Sequence, residues 1–194
     1  MTGKIPAFLL CITAWTSSLS AQEKMLFSPY YPLRPGTQWT YRANGGQIVV
    51  LRVAKFDKVD KHLCAVLETR REGLPITEHL GVQNDGIYRY KALGFTLDPP
   101  LCVLKLPPTK GATWSWNSKM GVEALVGKCS MDEVEVTVPA GKYTAYAVTA
   151  ELQRGDQKIP IVSYFARGVG MVKQTQKFGE REIVLELEKF EEGK

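Results

Sequence analysis

From about residue 35 onward, turn-forming residues interrupt this chain roughly every eight to twelve positions, and no helical period survives between them for more than a turn or two. Asn44-Gly45-Gly46, Asn84-Asp85-Gly86 and Pro139-Ala140-Gly141 all read as turns, because glycine tolerates left-handed backbone and proline ends a ladder. The segments between them alternate. Val134, Val136 and Val138 oppose Glu133, Glu135 and Thr137, and Ile183, Leu185 and Leu187 oppose Val184, Glu186 and Glu188. Alternation of this kind describes antiparallel strands with one packed and one wetter face. Ile48 to Phe56 is apolar on both faces at its centre and reads as a central, covered strand. The predicted class is therefore all-β: an antiparallel, strongly curved sheet, as a half-barrel or sandwich.

A faint internal repeat refines this picture. Pro35-Gly36-Thr37-Gln38-Trp39-Thr40-Tyr41 is echoed by Lys110-Gly111-Ala112-Thr113-Trp114-Ser115-Trp116, so glycine, tryptophan and a second aromatic recur in step. Gly86-Ile87-Tyr88-Arg89 is echoed by Gly170-Met171-Val172-Lys173. Two repeated β-units, spanning about 32–90 and 107–173, would complete each other's core. Asp98-Pro99-Pro100 and Pro107-Pro108 mark the expected joint between them, a bend inside one domain.

Residues 1–21 have the order of a secretory signal: Lys4, then an apolar stretch from Ile5 to Trp15, then small residues ending at Ala21. The stretch is shorter than the roughly 20 apolar residues that span a bilayer, and no later segment is long enough either. Cys11 lies inside the apolar stretch behind Leu10, where a lipid-attachment cysteine would need a small residue, so no lipidation is expected. The expected organisation is a signal peptide, 1–21, and one β-rich domain, 22–194, working outside the cytoplasm in the periplasm or beyond. The chain's net charge of +5 falls by one with Lys4, and basic and acidic residues interleave. A nucleic-acid partner would require a concentrated basic stripe, and none is present.

Three cysteines follow the signal: Cys64, Cys102 and Cys129. An oxidising compartment permits a disulfide, with Cys64 and Cys129 the first pair to test. Three small core thiols are the other reading.

Certain segments also resemble a known group. Tyr31-Pro32-Leu33-Arg34-Pro35-Gly36-Thr37-Gln38-Trp39-Thr40-Tyr41, Val138-Pro139-Ala140-Gly141-Lys142-Tyr143 and Tyr164-Phe165-Ala166-Arg167-Gly168-Val169-Gly170-Met171-Val172-Lys173 resemble motifs of small bacterial exported proteins known only as a domain of unknown function, the 3108-like or TapB type. Arg167 departs from that pattern, which often has proline there. The resemblance implies an antiparallel, strongly curved β-fold and no assigned activity. Trp39, Tyr41, Trp114 and Trp116 read as core aromatics rather than the lining of a ligand cleft.

Chemistry-bearing motifs are sparse. His62 and His79 are the only histidines and have no metal spacing, so neither a metal nor a cofactor is expected. His62 and Cys64 lie two apart in one strand, which makes a thiol–imidazole pair sterically conceivable, though without an oxyanion-hole signature. Glu133 and Glu135 read as a solvated face rather than an acid–base pair. Lys55, Lys58 and Lys61 with Arg70 and Arg71 form the densest basic region, which a hairpin could gather. No catalytic residue is expected. The expected function is non-enzymatic binding or scaffolding at the cell envelope, with a lipid or other apolar ligand, or an envelope protein, as partner. The alternatives are an envelope hydrolase with an unrecognised site, or a structural subunit docking through its edge strands.

Overall fold

The computed structural model of the protein describes residues 27–70 and 75–193. The signal segment, Cys11 and Arg71 lie outside those residues.

The described chain is all antiparallel β. A two-stranded hairpin, β1 (Phe27–Ser28) and β2 (Tyr31–Pro32), precedes twelve longer strands. These are β3 (Gln38–Ala43), β4 (Gln47–Val59), β5 (His62–Arg70), β6 (Ile76–Gln83), β7 (Gly86–Ala92), β8 (Phe95–Lys105), β9 (Thr113–Met120), β10 (Glu123–Val138), β11 (Gly141–Arg154), β12 (Gln157–Ala166), β13 (Gly170–Phe178) and β14 (Arg181–Glu191). Each pairs with its neighbour in sequence, and β14 pairs with β3, so the sheet closes into a twelve-stranded barrel. The curvature expected from the sequence thus runs to full closure.

Packing follows the alternation. On β10, Leu125, Cys129 and Met131 are buried while Lys128, Ser130 and Asp132 are exposed. Below residue 132 the buried positions change to Val136 and Val138, because this end of the β10–β11 hairpin packs its other face. There Ala140 N donates to Leu187 O at 2.9 Å. Outward faces at mid-wall are polar, for example Ser115 and Asn117 on β9 or Thr149 and Glu151 on β11. This is the reverse of a membrane-spanning barrel, whose outer band is apolar. No described helix is long and apolar enough to cross a membrane.

The expectation that Ile48–Phe56 is covered on both faces is not met. Leu51 and Val53 are buried, but Ile48 is 49% exposed, since a barrel strand covers only its inner face.

The two echoed segments fall six strands apart, on β3 and β9 and on β7 and β13. Their backbones match in detail at the first pair. Gly36 N donates to Val53 O at 2.8 Å, and Val53 N donates to Thr37 O at 2.9 Å. Likewise Gly111 N donates to Met131 O at 2.8 Å, and Met131 N donates to Ala112 O at 2.9 Å. Gly36 and Gly111 both have left-handed backbones, with φ of 88° and 80°.

Residues 106–112, with Pro107 and Pro108, connect β8 to β9; Asp98, Pro99 and Pro100 lie inside β8 instead. Their effect is felt at the β8–β9 seam, where only Leu97–Met120 and Asp98–Lys119 pair. Pro99 and Pro100 have no N–H to place in a ladder. Side chains bridge the seam in its place: Trp114 Nε1 and Trp116 Nε1 both donate to Cys102 O, at 3.0 and 2.7 Å, and Ser118 Oγ donates to Pro99 O at 2.6 Å.

Candidate functional site

The hairpins alternate direction, so the barrel has two distinct ends. The lower end holds the turns after β4, β6, β8, β10 and β12, and β1–β2 packs there. Gly168 N donates to Pro29 O at 2.6 Å. Tyr31 and Leu33 enter the barrel and are 4% and 1% exposed. The Tyr31 ring stands edge-on to Trp39 at 5.2 Å and to Phe165 at 5.8 Å. Polar tips in this plug are satisfied: Trp39 Nε1 donates to Val169 O at 2.7 Å, and Tyr41 Oη donates to Met171 O at 2.8 Å. Burial raises both Tyr31 and Tyr41 above the ordinary phenol range, so both stay neutral. This end is sealed.

The upper end, with the turns after β3, β5, β7, β9, β11 and β13, opens into the barrel. A mouth cavity of about 490 Å³ is lined largely by aliphatic side chains, including Leu97, Leu101, Leu125, Leu152, Ile159 and Ile183. A deeper chamber of about 170 Å³ reaches down to Tyr31, Tyr41 and Phe165. Val49, Thr69, Glu78, Arg89, Gln174 and Leu185 line both spaces.

Asn44, Gln47, Arg154 and Arg181 line the mouth, and two further polar groups interrupt the lining on opposite walls. On β6 and β7, Arg89 Nε lies 2.6 Å from Glu78 Oε2, with side chains 32% and 23% exposed. The approach is off the N–H axis, so Arg89 Nε has no aligned acceptor. On β12 and β13, six strands around the ring, Gln174 Nε2 donates to Ser163 Oγ at 2.9 Å and Gln176 Nε2 donates to Gln174 Oε1 at 2.8 Å. A mostly apolar cleft of this volume with few convergent polar groups has the form of a small-molecule site.

The residues weighed for chemistry in the sequence fare differently. His62 and Cys64 do share the outer face, but the His62 ring lies on Tyr90 at 4.9 Å and the thiol points to His62 O at 3.7 Å. Burial pushes the Cys64 thiol up to about 12, so it is a core group and not a nucleophile. Cys64, Cys102 and Cys129 are all free. Cys64 packs with Val59 and Tyr90 while Cys129 packs inside with Leu97 and Trp116, so the Cys64–Cys129 bridge is not formed. Burial likewise pushes Cys102 up to about 11 and Cys129 up to about 12.

Glu133 and Glu135 are exposed; Glu135 Oε1 accepts from Thr144 Oγ1 at 2.5 Å, and Lys142 lies 3.2 Å from its other oxygen. The basic residues do not gather. Lys58 and Lys61 flank the lower β4–β5 turn, whereas Arg70 pairs with Val50 at the other end of the same hairpin. Among the described residues no group of acidic, histidine or cysteine side chains could hold a metal.

Trp39 sits in the core, as expected; Tyr41 and Trp116 also line the deeper chamber. Glu78 and Arg89 do not stand out in the sequence, where each reads as a wet position in an alternating strand.

No family model matches this chain, and no curated protein does. Two solved structures are similar to it. One is a candidate exported protein with a YmcC-like fold from Bacteroides fragilis, 13% identical, with a TM-score of 0.47 over 84% of this chain and 98% of that one. The other is a candidate lipoprotein from Parabacteroides distasonis, 11% identical, with a TM-score of 0.44 and the same coverage of 84% and 98%.

Proposed function

We propose that this protein is an exported, extracytoplasmic, non-enzymatic barrel that holds an elongated apolar or amphiphilic small molecule, such as a lipid, in its interior. The observation that carries this reading is the cavity itself: sealed below by the Tyr31 plug, open above, and walled mainly by aliphatic side chains. The Glu78–Arg89 and Gln174–Ser163 groups would orient a polar end of the ligand within that lining. Export would use residues 1–21, leaving an unlipidated chain that begins near Gln22. The recurrence of one hydrogen-bond motif on β3 and β9 supports assembly of the wall from two six-stranded units.

Ring closure weighs against a subunit that docks through free edge strands, because a closed barrel has none of full length to offer. The envelope-hydrolase reading has no observation in its favour.

The test uses a chain begun at Gln22, purified without detergent. Organic extraction and mass spectrometry should recover a copurified amphiphile, and the emptied protein should bind an apolar fluorescent probe. Val49 faces both chambers, so Val49→Trp should abolish probe binding while thermal unfolding stays cooperative. A protein that takes up no probe, or a Val49→Trp variant that binds it as well as the parent, would remove the basis for this reading.

A further inference from the structure

Seven large apolar side chains are exposed among the described residues, and all seven lie at the open end of the barrel. Ile48, Ile76, Leu93, Phe95, Val122 and Phe178 stand in, or within two residues of, five different upper turns; Val126 lies one step further down β10. The lower turns carry none. Leu93, Phe95 and Val122 project furthest, at 57%, 54% and 101% exposure, from two adjacent turns. Phe95 covers the backbone of Gly121, so those two turns form one tip.

The backbone at Leu93 singles this tip out. Leu93 and Gly94 form a two-residue turn with φ of 53° and 83°. Asn44 and Gly45 adopt the same pair of left-handed angles, 48° and 75°, with the residue type this turn favours. Asn44, Asp60 and Leu93 are the described non-glycine residues with positive φ, and Leu93 alone among them is apolar. A leucine in that conformation is costly, and here its side chain is left in water as well.

The charges at this end are mixed. Lys119, Lys177 and Arg181 are exposed and have no ion-pair partner among the described residues, while Asp156, Glu180 and Glu182 interleave with them.

We propose that the mouth of the barrel docks on a lipid bilayer surface, its collar of turn residues entering the interfacial layer around the cavity opening. The apolar side chains are spread around the mouth instead of gathered on one flank, and a flat apolar phase meets such a ring all at once. The polar mid-wall limits the depth of entry to the turns themselves. Apolar contact provides most of the attraction, and the unpaired cations add to it on an anionic membrane. Docking does not require that the cavity hold a ligand, although the two share one opening.

The experiment is flotation of the chain begun at Gln22, which carries every described strand, with vesicles of phosphatidylcholine alone and of phosphatidylcholine with phosphatidylglycerol. The parent should float with both, more completely with the anionic vesicles. Leu93→Asn with Val122→Asn should weaken partitioning by about tenfold or more, the scale of losing one or two apolar side chains from a buried contact. Leu93→Asn alone should raise the melting temperature while lowering flotation, opposite signs that a structural role for the leucine would not give. Probe binding in solution should survive Val122→Asn, because Val122 lines neither chamber, and Val49→Trp should still float, so failure of docking and failure of the ligand reading are told apart. A parent that floats with neither vesicle, or rim variants that float like the parent, overturns the proposal. Rim-dependent crosslinking to a single envelope protein without flotation overturns it too, in favour of a protein partner.

Discussion

Gly168 and Gly170 flank Val169 below the barrel, and their replacement by alanine tests the plug directly. Both have left-handed backbones, with φ of 80° and 93°, so each variant carries a similar conformational penalty of about 1–2 kcal/mol. They differ in what the new methyl would meet. At Gly168 nothing lies within 4 Å, and the N–H that reaches Pro29 O is retained. At Gly170 the methyl would lie 2.7 Å from Tyr31 Cδ2, 3.2 Å from Tyr31 Cε2 and 3.4 Å from Pro32 Cδ. Tyr31 is 4% exposed and held between Trp39 and Phe165, so it has little room to move. Overpacking of that kind adds about 1–3 kcal/mol. Gly170→Ala should therefore cost roughly 2–5 kcal/mol against roughly 1–2 for Gly168→Ala. At about 3 °C per kcal/mol for a domain of this size, the melting temperature should fall by roughly 6–15 °C and 3–6 °C respectively. Thermal scans by far-ultraviolet circular dichroism, with urea midpoints as a second measure, read the difference. Equal losses from the two variants would show that Tyr31 is not pinned and that the lower seal is loose.

Three further outcomes follow from the interior. Glu78→Leu leaves Arg89 without its carboxylate among apolar walls and should cost about 1–3 kcal/mol, less than a fully buried pair because both side chains keep some exposure; Glu78→Leu with Arg89→Leu should recover most of it, and a double variant no more stable than the single one in urea would refute that account. In the chain begun at Gln22, Cys64, Cys102 and Cys129 should resist a maleimide at pH 8 in the native state and all react in denaturant; rapid native labelling of Cys64 would sink the claim that it is an inert core group. The raised thiol values also carry a pH signature. Stability from these groups is complete below the unfolded-state value near 9 and declines as pH rises toward about 12, because only the unfolded thiols ionise readily; urea midpoints that stay flat from pH 8 to 11 would contradict this.

Much of the wall was legible in the sequence. Val134, Val136 and Val138 fall on one face as their spacing requires, and the three turns anticipated at Asn44, Asn84 and Pro139 are where the chain reverses. Closure was not legible, because pairing Tyr41 with Leu187 joins residues from opposite ends of the described chain and no local pattern encodes it. Bulges were not legible either. The register shift near Ala54 on β4, and the one that leaves Tyr90 unpaired on β7, each displace the alternation by one. Tyr90, next to the inward Arg89, faces outward and covers Cys64, which is why a cysteine on the outer face is fully buried. The interior ion pair was hidden for a simpler reason. A glutamate and an arginine in short alternating strands look like solvent-facing residues until the ring closes around them.

The β8–β9 seam bears on how such a ring moves. Every other joint in the wall carries at least five backbone pairs, whereas this one carries two and is otherwise buttoned by two indoles and a hydroxyl. A cylinder under strain parts along its weakest line. Breathing of this wall should begin where Trp114 and Trp116 leave the Cys102 carbonyl, and hydrogen exchange along β8 and β9 should run ahead of the other strands. A guest too bulky for the mouth would then have a second way in, sideways, through a slit that two tryptophans hold shut.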